Sequence, residues 1–395
     1  MPRSTWPENV ICFGTDWYIP LESSVKQIVG ELRERGARVL WVNPLPIRFP
    51  DVKRPDFWKK VKGKARTHAR FVTKVDDGLY VYSPLYLPVF KSWAWRVNRW
   101  LVALQIAVLR VALRMRAPLV VGSEFTCWFA LPALRRDRFF FHFADKISAF
   151  REVSSRPDKR RVLEDMEREI IAACSLAGCS SRSIHTHVLA QARRTGTDET
   201  KILYLPHAIN HRLFAAADDR SPPADLAAIP GPIAGYFGSL TEANDKPTFL
   251  AAARALPDWS FAFVGQVRGN YDELAALPNV HFLGPKPHAE IPAYGACFDV
   301  CFMGWLPHEW ITNCFPLKTL EYLALGKPVV CSVPITELAE TFPEHVVFTQ
   351  TAQEFAAALV AARDADGPER RAARRGAVGD FTWRAYVDKV LAGMR

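Results

Sequence analysis

The sequence predicts an α/β protein built from two Rossmann-like, doubly wound domains that face each other across a cleft. Strand and helix patterns alternate from residue 9 onward, which is the order that builds a parallel sheet. A second alternating series begins at Ile233, after a stretch at 215–232 that is rich in Ala, Pro and Asp. The chain has 395 residues, more than one core holds at about 150 residues per domain. We therefore expect an N-terminal domain over 1–205, a C-terminal domain over 206–376 and a terminal helix over 377–395.

The N-terminal half opens with the strand "NVICFG", a polar and aromatic loop, the amphipathic helix "VKQIVGELRERG" and the strand "ARVLWVNP". Ligands of such sheets bind outside the carboxyl ends of the strands, so the loop 14–24 is a candidate site. It begins with Gly14, Thr15 and Asp16.

Two later strands of this half each end on a carboxylate. "PLVVGSE" ends on Glu124 and "FFFHFAD" ends on Asp145. A carboxylate at a strand end that faces the cleft could accept a proton from a hydroxyl. Asp145 could instead cap a helix beginning near Lys146, because Asp is a favoured N-cap residue. The segment "ILYLPHAIN" then closes this half and leaves His207 either as a buried histidine between the domains or as a ligand contact.

The C-terminal half begins with the strand "IAGYFGS" and ends with the helix "FTWRAYVDKVLAGM". Gly238 has no Cβ, which lets backbone N–H groups approach a phosphate near a helix N-terminus, and Ser239 follows it. The full GxGxxG pattern is absent, so a plain strand-to-helix turn explains this stretch equally well.

A later helix carries Lys318 and Glu321 one turn apart, within "NCFPLKTLEYLALGKPVVC". Both side chains can therefore reach the same ligand. A lysine suits a phosphate as a point charge, and a carboxylate accepts hydrogen bonds from both hydroxyls of a ribose. A solvated ion pair is the alternative, and the spacing alone does not decide between them.

The composition favours a soluble protein of a reducing compartment. No apolar run separates the first charges from the first strand, which argues against a secretory signal. The apolar run Trp100–Leu109 is shorter than the about 20 residues that cross a bilayer. The 8 cysteines include no CxxC pair, so we expect neither a disulfide framework nor a metal site.

Positive charge is concentrated in the N-terminal half, within a net charge of +10. From Asp51 to Pro118 there are 15 Lys and Arg against 4 Asp and Glu. The helix predicted over 91–116 places four arginines within about 60° of one another, at positions 96, 99, 110 and 114. It is either a core helix with a basic solvent face or, with Trp93 and Trp100 beside the arginines, a surface for an anionic membrane. No zinc finger, RRM signature or basic helix-turn-helix pattern is present, so we expect no nucleic acid partner.

Four segments occur in a fixed order along the second half: "PHAINHRLF", "GYFGS", "PNVHFLGPKPHAEIPAY" and "NCFPLKTLEYLALGKPVV". In these segments the chain resembles GT-B glycosyltransferases, especially bacterial members related to family 4 and to the xanthan-pathway glucuronosyltransferase. The resemblance covers most of 200–335. It is looser over the first 200 residues, where it rests on the first glycine loop, "VGSEF" and "FHFADKISAF". It implies that the C-terminal domain binds a nucleotide-sugar, the N-terminal domain binds the acceptor, and the terminal helix crosses back onto the first domain.

The resemblance implies donor-binding roles for residues of the second half. Glu321 matches a glutamate that holds the nucleotide ribose, and Lys318 matches a lysine that contacts the donor phosphates. Lys286 is the central residue of a loop whose backbone reads the nucleobase, and Gly238 with Ser239 forms the glycine loop under the pyrophosphate. The remaining positions on the donor side are His207, Asn313 and Leu317.

This chain departs from the family pattern at two of these positions. Many family 4 members have a glutamate where Asn313 stands, and an amide can still hydrogen-bond a sugar hydroxyl. Ser239 replaces the usual arginine after the glycine, and Lys246 is a candidate for the lysine that follows it. Lys318 and the backbone would then neutralise the phosphates.

On the acceptor side, the resemblance makes Asp145 the base that deprotonates an acceptor hydroxyl, while Lys318 stabilises the departing diphosphate. Gly14, Thr15, Asp16 and Glu124 are the other acceptor-side candidates. This chemistry inverts the anomeric centre. A retaining reaction needs no such base, and the resemblance to family 4 keeps it open.

The implied activity is metal-independent transfer of a hexosyl or glucuronosyl group from a UDP- or GDP-linked donor to a hydroxyl of a lipid-linked glycan. It belongs to the synthesis of a surface polysaccharide or glycolipid, with no cofactor besides the donor. The expected place is the cytoplasm, with peripheral attachment to the inner face of the plasma membrane. The alternatives are a nucleotide-sugar epimerase of the same fold and a non-catalytic GT-B binding protein.

Overall fold

A computed structural model describes residues 6–19, 22–45, 71–87, 92–145, 157–215 and 221–394. The chain forms two compact units. Unit 1 comprises Met1–Leu205 together with Tyr386–Arg395, and unit 2 comprises Pro206–Ala385. Each unit is built around its own sheet, with one buried apolar cluster in unit 1 and two in unit 2 among the described residues.

Unit 1 contains an eight-stranded sheet in the order β3-β4-β2-β1-β5-β6-β7-β8. All neighbouring pairs are parallel except β3 and β4, which form an antiparallel pair at one edge. Its strands are β1 (Asn9–Phe13), β2 (Arg38–Val42), β3 (Val72–Asp76), β4 (Leu79–Tyr82), β5 (Leu119–Gly122), β6 (Arg138–Phe143), β7 (Leu176–Cys179) and β8 (Ile202–Tyr204). The strands β1, β5 and β7 are buried along their whole length, as parallel strands covered on both faces must be.

Unit 2 contains a six-stranded, fully parallel sheet in the order β11-β10-β9-β12-β13-β14. Counted from its first strand this is the order 3-2-1-4-5-6 of a doubly wound nucleotide-binding fold. Its strands are β9 (Ile233–Phe237), β10 (Ser260–Val264), β11 (Val280–Gly284), β12 (Val300–Met303), β13 (Val329–Cys331) and β14 (Val346–Phe348). The two sheets confirm the predicted pair of Rossmann-like, doubly wound domains.

The helices connect these strands and cover the sheets. In unit 1 the helices are Ser24–Glu34, Ser92–Ala112, Phe125–Ala130 (3₁₀), Leu131–Leu134, Pro157–Ala173, Arg182–Thr195 and Glu199–Lys201 (3₁₀). In unit 2 they are His211–Ala215, Ala224–Ala227, Lys246–Ala255, Asp272–Ala275, His288–Glu290 (3₁₀), Ile291–Ala296, Glu309–Asn313, Leu317–Ala324, Thr336–Thr341, Ala352–Asp364 and Pro368–Ala377. The last helix, Trp383–Gly393, starts in unit 2 and ends in unit 1.

The end of the chain is part of the core of unit 1. Tyr386 is 4% exposed, and its hydroxyl lies 2.8 Å from Nδ1 of the fully buried His142 on β6. Burial raises the pKa of the Tyr386 hydroxyl. Asp388 forms an ion pair with Arg35 at 2.8 Å. These contacts attach residues at opposite ends of the sequence to one another.

Two helices have bounds that differ from those expected from the sequence, the long helix of unit 1 and the helix that carries Lys318. The long helix stops at Ala112, because Arg114 and Ala117 both adopt positive φ angles, 51° and 41°. The segment 313–324 is not one helix. Pro316 precedes the helix Leu317–Ala324, while Asn313 is the last residue of the separate helix Glu309–Asn313. A proline fits only the first turn of a helix and disfavours helical backbone in the residue before it, so the chain restarts there.

Candidate functional site

The site in unit 2 lies at the carboxyl ends of β9 and β12, the adjacent strands at which the chain order of the sheet reverses. Parallel sheets bind ligands in the crevice at such a switch point. Gly238 follows β9, and Gly304 follows β12. The helix Leu317–Ala324 is fixed beside them through Tyr322. Its hydroxyl accepts a hydrogen bond from Phe237 N at 3.1 Å and is itself completely buried.

Two glycines bring backbone together at this point. Gly238 and Gly265 have φ angles of 130° and 149°, which side chains with a Cβ rarely adopt. A Cβ on Gly265 would lie 2.1 Å from the carbonyl oxygen of Gly238. Gly238 N donates to Val264 O at 2.8 Å, which fixes the turn after β9 against β10. The turn predicted from "YFGS" is therefore a close backbone approach rather than a simple reversal.

We expect Gly265→Ala to destabilise unit 2 by about 3 kcal/mol, since the new methyl group meets backbone and the φ angle is strained. Urea unfolding measures the loss. Gly376→Ala is the matched control, because no atom lies within 4 Å of a Cβ there and the residue is inside the helix Pro368–Ala377. Equal stability of the two variants would contradict the close approach.

Lys318 lies against this turn. Its Nζ donates to the Tyr236 hydroxyl at 2.8 Å, and that hydroxyl donates to the carbonyl oxygen of Ser239 at 3.1 Å. The ammonium group lies 4.2 Å from the centre of the Tyr236 ring and 5.3 Å from the centre of the Trp305 ring. A Cβ on Gly238 would be 2.8 Å from Nζ, so the cation touches the glycine turn itself. Aromatic faces attract a cation without neutralising it.

Glu321 contacts a different residue from the one that the spacing suggested, and this residue is His288. Its Oε1 lies 3.2 Å from Nε2 of His288, with 11% of the Glu321 side chain exposed and 30% of the His288 side chain. Among the ion pairs of the described residues, Lys318 has none. A solvated Lys318–Glu321 pair is therefore wrong for this helix. That Lys318 and Glu321 reach the same ligand stays a prediction.

Lys286 uses its side chain to fix the loop after β11. Its Nζ donates to Asp225 at 2.6 Å, and the Tyr294 hydroxyl donates to the same carboxylate at 2.8 Å. The lysine hydrogen bond lowers the pKa of the Asp225 carboxyl, and the carboxylate raises the pKa of Lys286. The ammonium group of Lys286 is thus engaged within the protein, and the contact of the loop backbone with a nucleobase stays a prediction.

Three further donor-side candidates take different positions. Leu317 is the first residue of its helix, directly after Pro316. The backbone of Asn313 ends the preceding helix, and its side chain lies outside the described part of the structure. Lys246 donates to Asn270 O at 2.9 Å, away from the glycine turn. The lysine that touches the turn is thus Lys318.

His207 is a buried histidine of unit 2. It is 8% exposed, and its ring centre is 6.3 Å from that of Phe315. Burial lowers the pKa of His207 to about 4, from an ordinary value of 6.5. It is therefore neutral at pH 7.

This lowered pKa predicts a pH-dependent stability. In the unfolded chain His207 binds a proton below about pH 6.5, whereas in the folded chain it stays neutral down to about pH 4. The free energy of unfolding therefore falls as the pH drops through this window. The loss by pH 4 is on the order of 3 kcal/mol. Urea unfolding of wild type and His207→Gln across the window measures it, and the variant should lack this part of the slope. His211→Gln, at a partly exposed position, is the control, and identical slopes for wild type and His207→Gln would contradict the assignment.

In unit 1 the corresponding switch point lies between β1 and β5. Gly14 follows β1, and a Cβ there would lie 2.3 Å from the Trp41 ring. Trp41 Nε1 donates to Thr15 O at 3.0 Å, and Thr15 Oγ1 lies 3.4 Å from Ser23 Oγ. The Asp16 carboxylate accepts from Tyr18 N at 3.1 Å and so shapes the turn of the loop.

The two carboxylates predicted at strand ends follow the neighbouring strands β5 and β6. Glu124 precedes the 3₁₀ helix Phe125–Ala130 without a side-chain capping bond. Asp145 is partly buried, two residues after β6, and Ser180 Oγ donates to Ala144 O at 2.7 Å beside it. The residues from Lys146 that Asp145 was expected to cap lie outside the described part of the structure, so that alternative stays a prediction.

Sequence reasoning missed four residues of the unit 2 site: Tyr236, Trp305, His288 and Asp225. Tyr236 lies inside a buried strand and reads as core, and Asp225 lies in the stretch that was predicted to connect the domains. His288 was visible within "GPKPHAE", but nothing local connects it to Glu321. Within the described ranges, no group of three or more His, Cys, Asp or Glu is placed to hold a metal ion. None of the described helices combines the length and apolar character of a membrane-crossing segment.

Two doubly wound units of this kind define the GT-B fold, and solved structures share it over the whole chain. The glycosyltransferase from Rickettsia africae ESF-5 has a TM-score of 0.65 at 14% identity, covering 98% of this chain and 97% of its own. Sucrose-phosphate synthase from Thermosynechococcus elongatus has a TM-score of 0.66 at 17% identity, covering 97% of each. Anabaena HepE in complex with UDP has a TM-score of 0.63 at 15% identity, covering 97% and 98%.

Sequence comparison identifies the domain at the site more narrowly. Residues 231–364 match the family model described as glycosyl transferases group 1. TuaH of Bacillus subtilis (strain 168), assigned as a teichuronic acid biosynthesis glycosyltransferase, is 31% identical over 176 residues. That alignment spans 44% of this chain and 44% of TuaH, less than half of either. The chain therefore has the GT-B fold, and residues 231–364 of its C-terminal unit are similar to group 1 glycosyl transferases.

Proposed function

We propose that the protein is a glycosyltransferase that moves a sugar from a nucleoside-diphosphate donor to a hydroxyl of a lipid-linked glycan. The observation that carries this proposal is the placement of Lys318, between two aromatic rings and against the Gly238 turn, at the switch point of a group 1 glycosyltransferase domain. A cation held there beside close backbone is suited to a diphosphate.

The donor is held by three parts of unit 2. Lys318 and the N-terminus of its helix face the diphosphate, where charge develops as the sugar leaves. The Glu321 carboxylate, oriented by its hydrogen bond with His288, accepts hydrogen bonds from the ribose hydroxyls. The loop 284–288, fixed by the Lys286–Asp225 ion pair, presents backbone to the nucleobase. HepE, a structural neighbour, was solved with UDP and with UDP-glucose, which supports a uridine donor and leaves GDP as the comparison.

The transfer needs a base on the acceptor and charge stabilisation on the leaving group. In our proposal Asp145 takes the proton of the attacking hydroxyl, and the new glycosidic bond forms as the bond to the diphosphate breaks, with inversion. Lys318 and backbone amides stabilise the diphosphate, so the mechanism does not depend on a metal ion. The assignment of TuaH to teichuronic acid biosynthesis supports polysaccharide synthesis as the context. The sugar that we propose is a hexosyl or glucuronosyl group. We place the enzyme on the cytoplasmic side, where nucleotide-sugars are made.

Nucleotide binding tests the donor assignment. Isothermal titration of the full chain with UDP and GDP should show binding of one of them, and Glu321→Gln should raise its Kd about 10- to 100-fold, the loss of one charge-assisted hydrogen-bonding group. Glu273→Gln makes the same chemical change at an exposed ion pair with Arg254 and should bind like wild type.

A turnover screen separates transfer from the other activities that this fold permits. Nucleotide-sugars are incubated with and without a lipid extract as acceptor source, and released nucleotide is measured. Release that depends on the extract supports transfer. Conversion of the donor without any acceptor indicates an epimerase, and binding without turnover indicates a non-catalytic protein. Either of the last two results would overturn the proposal.

A further inference from the structure

The helix Ser92–Ala112 of unit 1 presents a continuous apolar stripe to solvent. The side chains of the stripe are three or four residues apart in the sequence and are 44% to 79% exposed. They are Trp93, Val97, Trp100, Leu104, Val108 and Val111. On a helical wheel they fall within about 80°, and they extend along about 27 Å of the axis. An apolar face of this length on a surface helix marks a contact with something other than water.

The stripe is distinct from the basic face that the sequence suggested. Arg99 forms an ion pair with Glu169 at 2.7 Å and lies 4.3 Å from the centre of the Trp128 ring. Arg110 forms two hydrogen bonds with Asp137, at 2.6 and 2.9 Å. These two arginines therefore attach the helix to unit 1. The prediction of a solvent face with four arginines is therefore half right, because Arg96 and Arg114 are exposed whereas the other two have acidic partners. Beside the exposed arginines, the helix presents its apolar stripe to solvent.

Hydrogen bonds attach the helix to the segment 85–87, which adds two exposed leucines to the apolar surface. Asn98 exchanges two hydrogen bonds with the backbone of Leu87, at 2.7 and 2.9 Å. Gln105 does the same with Leu85, at 3.0 and 2.9 Å. Leu85 and Leu87 are themselves 50% and 37% exposed and lie beside the stripe. The inner face of the helix is buried in the core of unit 1, so this surface is preformed.

The charge around the stripe identifies its occupant. Arg96, Arg114 and Arg116 are exposed along its flank and at its end. No Asp or Glu occurs between Asp77 and Glu124. A second copy of this helix would bring arginines against arginines, whereas an anionic bilayer offers an apolar interior and negative headgroups together. Tryptophan, present twice in the stripe, favours the boundary between headgroups and acyl chains.

We infer that this surface binds an anionic lipid bilayer, with the helix Ser92–Ala112 lying in the plane of the interface. The apolar stripe enters the boundary of the acyl chains, and the flanking arginines contact headgroup phosphates. This inference stands apart from donor binding in unit 2, because it concerns residues that touch neither the nucleotide nor the reacting atoms.

Vesicle sedimentation with the full chain tests the inference. Wild type should bind phosphatidylcholine vesicles that contain about 30% phosphatidylglycerol and bind neutral vesicles much less. Binding should weaken as NaCl rises from about 50 mM to about 500 mM, which screens the headgroups. The double variant Trp100→Glu, Val111→Glu should bind at least about tenfold more weakly, since two charges replace inserted apolar side chains. Val75→Glu, at a 44% exposed position on β3 in the same unit, is the matched control and should bind like wild type.

A second pair, Leu104→Ser with Val108→Ser, removes apolar surface without adding charge and should also weaken binding. Circular dichroism shows that each variant is folded. Titration with the nucleotide that wild type binds shows that unit 2 is intact, which separates this result from a failure of the proposed function. Failure of wild type to bind anionic vesicles would overturn the inference. So would equal binding to neutral vesicles, or a concentration-dependent dimer in sedimentation velocity that the Trp100→Glu, Val111→Glu variant abolishes without any vesicle binding.

Discussion

Lys318→Ala is expected to lower kcat/KM at least about 100-fold. The substitution removes the cation that lies between Tyr236 and Trp305 and that touches the Gly238 turn. Negative charge on the leaving diphosphate grows as the glycosidic bond breaks, so the loss should fall mainly on kcat and less on donor affinity. Initial rates at several donor concentrations measure both parameters.

The geometry also predicts the behaviour of two related variants. Lys318→Arg should recover little activity, because a planar guanidinium does not reproduce the contacts of a compact ammonium group with the two rings and the glycine turn. Lys246→Ala removes a lysine of the same unit whose ammonium group contacts Asn270 O instead, and it should retain wild-type kinetics. If Lys318→Ala kept more than about a third of wild-type kcat/KM, the role of Lys318 in the reaction would be refuted.

Asp145→Asn is expected to lower kcat by about 100- to 10,000-fold while the Kd for the nucleotide stays unchanged. An amide has nearly the size of the carboxylate but cannot accept the acceptor's proton. The substitution should also abolish the acid limb of the pH–rate profile, a change that a purely structural residue would not produce. Steady-state kinetics across pH, with nucleotide titration of the same variant, measures both effects.

Glu124→Gln provides the comparison, since Glu124 follows the neighbouring strand in the same unit. It should leave kcat within a few fold of wild type, which corresponds to a change in activation free energy of about 1 kcal/mol or less. The anomeric configuration of the product gives an independent check. A retained configuration would eliminate the base mechanism, whatever the kinetics of Asp145→Asn.

Much of the fold could be predicted because it depends on local pattern. Buried parallel strands such as β1 and β9 read as continuous apolar runs, and the helices between them show one apolar face. The chain order of such strands also constrains which of them meet at the centre of each sheet. This is why the turns after β1 and β9 could be identified as candidate sites before any contact was known.

The contacts that complete the site could not be predicted, because they join distant positions. Lys318 and Tyr236 are 82 residues apart, His288 and Glu321 are 33 apart, and Lys286 and Asp225 are 61 apart. No periodicity records such pairs. The same limit applied to the helix Ser92–Ala112, where the basic residues visible in the sequence turned out to have acidic partners 27 and 70 residues away. Local spacing could therefore indicate which side chains are candidates for a site, whereas their hydrogen-bond and ion-pair partners depend on tertiary packing.

The position of Tyr386 in the core of unit 1 constrains how the protein is made. Its ring packs beside Phe140 and its hydroxyl meets buried His142, so unit 1 lacks part of its interior until the last residues are synthesised. We therefore expect unit 1 to complete its core only after Tyr386 has been synthesised, when all six strands of unit 2 have already been made. This order would differ from the usual one, in which the N-terminal domain folds before the domain that follows it. A premature stop shortly before Tyr386 would damage the unit translated first.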